Sequence, residues 1–118
     1  MDQINELNEQ EGWDNLVAEK ENYLKALENS ITIVAVDNND NVLGYIRALT
    51  DGYVTLFVCE LLIIKQKRGE GIGKLLINDL HIKYPHTRID LLATKQSSKF
   101  HEKQNFRTFY GYRKNLKY

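Results

Sequence analysis

The stretch KQKRGEGIGKLL, Lys65 to Leu76, places glycines at every second position (Gly69, Gly71, Gly73) between a cationic run and an apolar pattern of helical spacing. Glycine gives up more conformational freedom on folding than any other residue. Three so close together imply a backbone that must turn left-handed or stand bare against something. A helix N-terminus leaves N–H groups unpaired and carries partial positive charge. With side chains stripped from the preceding turn, those N–H groups can reach a phosphate directly. Arg68, with Lys65, Lys67 and Lys74 nearby, adds counter-charge. The chemistry predicted is phosphate or pyrophosphate capture; the plainer alternative is a glycine-rich strand-to-helix turn with solvated lysines.

Two common phosphate loops are excluded. In G-x-x-x-x-G-K-[ST] the residue five before Gly73 should be glycine and is Arg68, and Leu75 stands where the magnesium-binding hydroxyl belongs. In G-x-G-x-x-G, Gly69 and Gly71 are followed by Lys74 at the last position. ATP and NAD readings fall with them.

Outward from this turn, VTLFVCELLIIK reads as the strand that feeds it, and the spacing predicts a helix from the glycines to about Tyr84 with Ile72, Leu75, Leu76 and Leu80 on one face. Pro85, lacking an N–H, closes that helix. Upstream, ITIVAVD (31–37) and VLGYIRAL form a hairpin across the turn NNDN, and TDGY supplies the next turn. A helix covers about Asp14 to Ser30, marked by Leu16, Tyr23, Leu24 and Leu27. Downstream come a short strand, IDLLAT (89–94), a helix SSKFHEKQNF with Ser97 or Ser98 as its cap, and a last strand RTFYGYRK. The fold class is α/β (α+β): a mixed, mostly antiparallel central sheet with helices on both faces. The turn after the third strand is where open α/β sheets place ligands.

The 118 residues suit one domain, 1–118, without repeats or linkers. Sixteen basic and sixteen acidic side chains cancel, against a general nucleic-acid binder, which shows a net basic face. The longest apolar run carries Glu60 and is too short to cross a bilayer. The acidic N-terminus lacks the basic-then-apolar order of a signal peptide, and the one cysteine, Cys59, fits a reducing compartment. A cytoplasmic protein acting on neither nucleic acid nor membrane is expected. His81, His86 and His101 show no metal-ligand spacing, so no metal is expected. Mid-strand Cys59 reads as a buried structural thiol.

The spacing R-x-x-G-x-G (Arg68, Gly71, Gly73) resembles the acyl-CoA loop of the GCN5-related N-acetyltransferases. ELLIIKQKRGEGIGKLLINDL is similar to that family's central strand, pyrophosphate loop and helix, and LLATKQSSKFHEKQNF to its next strand and FYEKLGF helix. NVLGYIRALTDGY resembles the LVGxxRAxTDG segment of a compact branch. The likeness runs from about Ser30 to Tyr112, with a weaker echo at Gly12–Trp13.

The resemblance implies transfer of an acetyl group from acetyl-CoA to a primary amine of a small molecule or peptide, by direct attack. It implies that the central strand splays from its neighbour, so that main-chain groups of Leu61, Leu62 and Ile63 pair with the pantetheine arm. The pyrophosphate would lie on the amides of Arg68, Gly69, Glu70, Gly71, Ile72, Gly73 and Lys74, and Ser98 and Phe100 would wall the other side. Glu60, where relatives carry an acidic residue, becomes the general base; the alternative is a carboxylate paired with a basic partner such as Arg47. His101 stands where relatives have the tyrosine that protonates the CoA sulfur, and imidazole can donate at neutral pH; the alternative is a helix-surface histidine. Asn105 replaces the glycine of LGF and tolerates left-handed geometry. Asp51 and Tyr53 fall on the acceptor side. Related folds often form homodimers. A second function class keeps the loop and makes Glu60 and His101 dispensable: a non-catalytic acyl-CoA-binding or sensing module.

Overall fold

The computed structural model describes residues 2–93 and 95–115. Four strands, β1 (Ile31–Val36), β2 (Val42–Thr50), β3 (Thr55–Ile63) and β4 (Arg88–Leu91), lie in the order β1-β2-β3-β4. The first two pairs are antiparallel and β3–β4 is parallel, giving the mixed sheet expected. Helices α1 (Asp2–Glu11), α2 (Asp14–Ala18) and α3 (Lys20–Glu28) precede the sheet; α4 (Ile72–Lys83) crosses from β3 to β4, and α5 (Lys95–Lys103) follows β4.

Each face of the sheet has its own core. On one, Ile46, Ala48, Leu56 and Val58 pack against Leu76, Ile77 and Leu80 of α4. On the other, Tyr45 and Leu62 pack with Ile4 and Leu7 of α1 and Tyr23 of α3. A β-bulge at Cys59 links the two: Val58 opposes Ala48, Glu60 opposes Arg47, and Cys59 is the extra residue between them. One extra residue reverses which face each later side chain takes. Leu61 and Ile63 therefore join Leu56 and Val58 on the α4 face, while Glu60 turns to meet Tyr23 of α3. Without the bulge this carboxylate would enter the α4 core.

Several elements differ from the sequence reading. The acidic N-terminus is helix α1, anchored by Ile4 and Leu7, three residues apart and both buried. The helix expected over Asp14–Ser30 breaks at Glu19 (φ −103°, ψ 41°) into α2 and α3. Leu75 is 64% exposed and Ile77 takes its place in the core: three neighbouring apolar residues cannot all face one way on a helix. Ser97 and Ser98 lie inside α5 instead of capping it. RTFYGYRK forms no strand, and its aromatics Phe109, Tyr110 and Tyr112 are exposed; β propensity makes a strand only where a partner edge and a face to bury are present. The end of the expected strand 89–94, Thr94, lies outside the described residues.

Candidate functional site

β4 accompanies β3 only from Thr55↔Arg88 to Val58↔Leu91. Among the described residues, β3 from Glu60 to Ile63 pairs with β2 alone. The Ile64 N–H donates to Leu43 O at 2.9 Å, and main-chain groups of an antiparallel strand alternate sides. Leu61 and Ile63 thus turn their N–H and C=O groups to the open edge, whereas Leu62 turns its own to β2 and its side chain into the α1 core.

The open edge runs into the glycine turn. A single 3₁₀ turn, Lys65–Lys67, leads to Gly69 (φ +83°) and to Gly71 (φ +88°), the N-cap of α4. A β-carbon on Gly71 would meet nothing within 4 Å, so its left-handed backbone is the constraint and the space above it is open. The N–H groups of Ile72, Gly73 and Lys74 open the twelve-residue α4, where helix geometry provides no internal acceptor. Gly73 meets a different demand: a β-carbon there would lie 3.0 Å from Phe100 Cζ, so its bareness lets α5 close on α4. A phosphate-bearing chain fits these residues: bare backbone, aligned N–H groups and an unpaired strand edge.

Arg68 departs from its expected part. Its Nε donates to Ile63 O at 2.9 Å and its guanidinium pairs with Glu11 of α1. The pair closes the rim of a cavity of about 220 Å³ between α1 and the end of β3, which Leu7, Gln10 and Gln66 also line. Lys65 and Lys74 are exposed beside the turn, and Glu70 faces solvent.

Glu60 is held by three donors. Arg47 reaches Oε1 through Nε (2.5 Å) and Oε2 through Nη2 (2.8 Å), and Tyr23 OH donates to Oε1 at 2.6 Å. Both side chains of the ion pair are nearly buried, 14% and 12% exposed, and Arg47 Nη1 donates to Ser30 Oγ at 3.1 Å. The paired-carboxylate alternative is therefore the observed geometry. A carboxylate offers about four acceptor sites; three are filled and one remains, on Oε2. The hydrogen bond to Glu60 raises the Arg47 pKa, and burial raises that of Tyr23 beyond any physiological range and that of Tyr45 to about 12. Burial likewise raises the thiol pKa of Cys59, which keeps it a poor nucleophile.

His101 is not a helix-surface residue. It is 9% exposed, set edge-on between Phe100 (5.1 Å) and Phe106 (5.5 Å), with Nδ1 buried and unpartnered. Burial lowers its pKa, so the ring is neutral near pH 7 and poorly suited to deliver a proton. Asn105 adopts φ +69°, the left-handed end expected after α5. Asp51 spends Oδ1 on the N–H groups of Tyr53, Val54 and Thr55, bonds that lower its pKa. It shapes the β2–β3 turn at the far end of β3 from the glycines, and Tyr53 beside it is 82% exposed. No group of His, Cys, Asp and Glu able to hold a metal occurs among the described residues, and no described helix is long and apolar enough to cross a membrane.

Reading motifs alone missed the polar residues behind Glu60: Asn8, Tyr23 and Tyr45. Their signal was faint, a tyrosine on each of two apolar patterns and an asparagine on a helix not recognised as one.

A mixed sheet that splays beside a bulged central strand and ends on a bare turn at a helix N-terminus defines the acyl-CoA-binding α/β fold. The chain belongs to the GNAT acetyltransferase family: the profile described as "Acetyltransferase (GNAT) domain" matches residues 3–115. A search of curated protein sequences finds no match. Solved structures agree on the fold. A GNAT-family acetyltransferase of Streptococcus pneumoniae superposes with a TM-score of 0.79 at 23% identity, over 98% of this chain and 91% of its own. A Deinococcus radiodurans protein assigned as an acetyltransferase gives 0.72 at 18% identity, over 81% and 68%. An aminoglycoside 6'-N-acetyltransferase solved with coenzyme A gives 0.63 at 23% identity, over 76% and 53%.

Proposed function

We propose that this protein transfers an acetyl group from acetyl-CoA to a primary amine of a small molecule or peptide. The observation that carries the reading is the open edge of β3 leading into the bare turn before α4. Acetyl-CoA supplies an extended amide-bearing arm, a pyrophosphate and a thioester, and the solved relative with coenzyme A supports that choice of ligand. Leu61 and Ile63 offer main-chain groups to the arm, with Arg68 giving up Ile63 O to make room. The N–H groups from Gly69 to Lys74 receive the pyrophosphate, and Phe100, with Ser98 on the same helix, forms the facing wall. Glu60 takes the proton of the attacking amine at its remaining acceptor site on Oε2. The C–S bond breaks as the C–N bond forms, and the thiolate takes its proton from solvent. His101 serves as a wall residue. Asp51 and Tyr53 meet an acceptor only through the outer face of their turn.

The three donors on Glu60 favour one competing reading, a non-catalytic acyl-CoA-binding module in which this carboxylate is purely structural. Turnover by Glu60→Gln separates the two. A loss of 100-fold or more, with acetyl-CoA affinity kept, is expected of a general base; unchanged turnover, or no turnover by the unaltered protein over a broad amine panel despite tight binding, would leave the binding module.

A further inference from the structure

Behind Glu60 runs a line of buried polar groups to which acyl transfer gives no part. Asn8 of α1 and Tyr45 of β2 are fully buried, and Tyr23 of α3 is 4% exposed. Tyr45 OH donates to Asn8 Oδ1 at 2.5 Å, the hydroxyls of Tyr45 and Tyr23 lie 2.9 Å apart, and Tyr23 OH donates to Glu60 Oε1 at 2.6 Å. These are three contacts among four groups, and each contact needs one proton. The two phenols bring one each. The third must come from an end of the line, either the carboxyl of Glu60 or the amide of Asn8.

Arg47 engages both oxygens of Glu60, which is the geometry of an ionised carboxylate. Glu60 therefore has no proton to give, and the donor is Asn8. Its NH₂ must face Tyr45, a half-turn of the amide that exchanges two groups of nearly equal shape. The turn also removes a defect. With the oxygen toward Tyr45, Asn8 Nδ2 is buried without a partner; with the nitrogen there, the unpaired atom is a carbonyl oxygen, which interiors tolerate better than an N–H.

We propose that Asn8, Tyr45 and Tyr23 form a one-way chain of donors ending on Glu60, and that Tyr23 is thereby a positioning residue for the base. The chain fills one lone pair of Oε1, holds the carboxylate in one rotamer, and leaves the Oε2 site to the acceptor's proton. The role rests on the acetyl-transfer reading above; the chain itself does not. The groups facing Glu60 are Arg47 and, beyond Tyr23, Tyr45 from β2, Tyr23 from α3 and Cys59 beside it on β3; Asn8 of α1 acts through Tyr45 alone.

Two readouts test it. In side-chain ¹H–¹⁵N spectra, one Asn8 amide proton should be displaced from the solvent-exposed range and protected from exchange, and Tyr45→Phe should abolish both effects. With acetyl-CoA and a panel of probe amines that includes spermidine and phenethylamine, Tyr23→Phe should lower kcat about tenfold at an unchanged KM for acetyl-CoA, because the donor that holds the base in position is lost. Tyr45→Phe should lower kcat by less, with acetyl-CoA affinity unchanged within twofold. Where no probe amine turns over, the change is read as a displaced ¹³C signal of the Glu60 carboxyl carbon at pH 7. An unshifted Asn8 amide, or an unchanged kcat and Glu60 carboxyl signal in a Tyr23→Phe protein that melts like the unaltered one, overturns the chain. Full turnover by Glu60→Gln with the Asn8 signal intact overturns the positioning role and the base together, and leaves the chain as structure.

Discussion

Arg47→Met removes one partner of a nearly buried ion pair and tests how the sheet tolerates Glu60. With Arg47 gone, the carboxylate retains Tyr23 as its donor, at 12% side-chain exposure. Breaking such a pair from one side costs about 3–5 kcal/mol, since the remaining charge is left desolvated. Unfolding entropy near 2.1 cal/mol/K per residue gives roughly 250 cal/mol/K for 118 residues. Each kcal/mol then displaces the melting temperature by about 4 °C, so Arg47→Met should melt about 12–20 °C lower. Arg47→Met combined with Glu60→Leu should recover most of that loss, because two apolar side chains of similar volume replace a pair whose Coulomb gain roughly offsets its desolvation. Calorimetric melting of the three proteins at pH 7 and at 0.1 and 0.5 M salt provides the assay; a buried pair responds weakly to salt. A loss below about 1 kcal/mol for Arg47→Met, or one that vanishes in high salt, would show a solvated surface pair and remove the reason for reading Glu60 as a held, ionised carboxylate.

Gly73→Ala places a β-carbon 3.0 Å from Phe100 Cζ and should cost about 1–3 kcal/mol through overpacking; adding Phe100→Leu should restore the melting temperature. His101 has its pKa lowered by burial from the ordinary 6.5. Above pH 6.5 both folded and unfolded forms are neutral there, so nothing changes. Below it the unfolded chain takes a proton that the folded one resists, and stability falls as pH drops, by at most about 1.4 kcal/mol per pH unit. His101→Gln should flatten the melting-temperature curve between pH 7 and 5; an unchanged slope would show that the ring ionises freely in the folded protein.

What the sequence made legible was whatever local chemistry decides. The glycine turn, the strand entering it and the helix leaving it follow from Gly69, Gly71 and the spacing of Ile72, Leu76 and Leu80. Asn105 at its left-handed position was equally plain. Less legible was whatever depends on a distant partner. The bulge at Cys59 leaves no mark in LFVCELLII, yet it decides which face Glu60 takes. The pairing of Arg68 with Glu11 spans 57 residues. Helix α1 was obscured by its charge, because its buried stripe is only Ile4, Leu7 and Asn8. The tail RTFYGYRK shows the converse, a strand-like pattern that pairs with none of the described strands. The burial of His101, left open between a proton donor and a helix-surface residue, was not legible because the aromatic pair enclosing it includes Phe106, beyond the helix end.

The bare turn before α4, proposed to receive the pyrophosphate of acetyl-CoA, can be tested by titration calorimetry with two matched glycines. Gly71 and Gly52 have nearly the same left-handed backbone, φ +88° and +84°, and equally open space at the β-carbon. Alanine at either should therefore cost a similar 1–2 kcal/mol or so of folding free energy. The unaltered protein and Gly52→Ala should bind acetyl-CoA alike and reject ATP and NAD, while Gly71→Ala, with a methyl group where the phosphate would lie, should lose at least about tenfold in affinity. Equal binding by both variants, or a preference for ATP or NAD, would contradict that proposal.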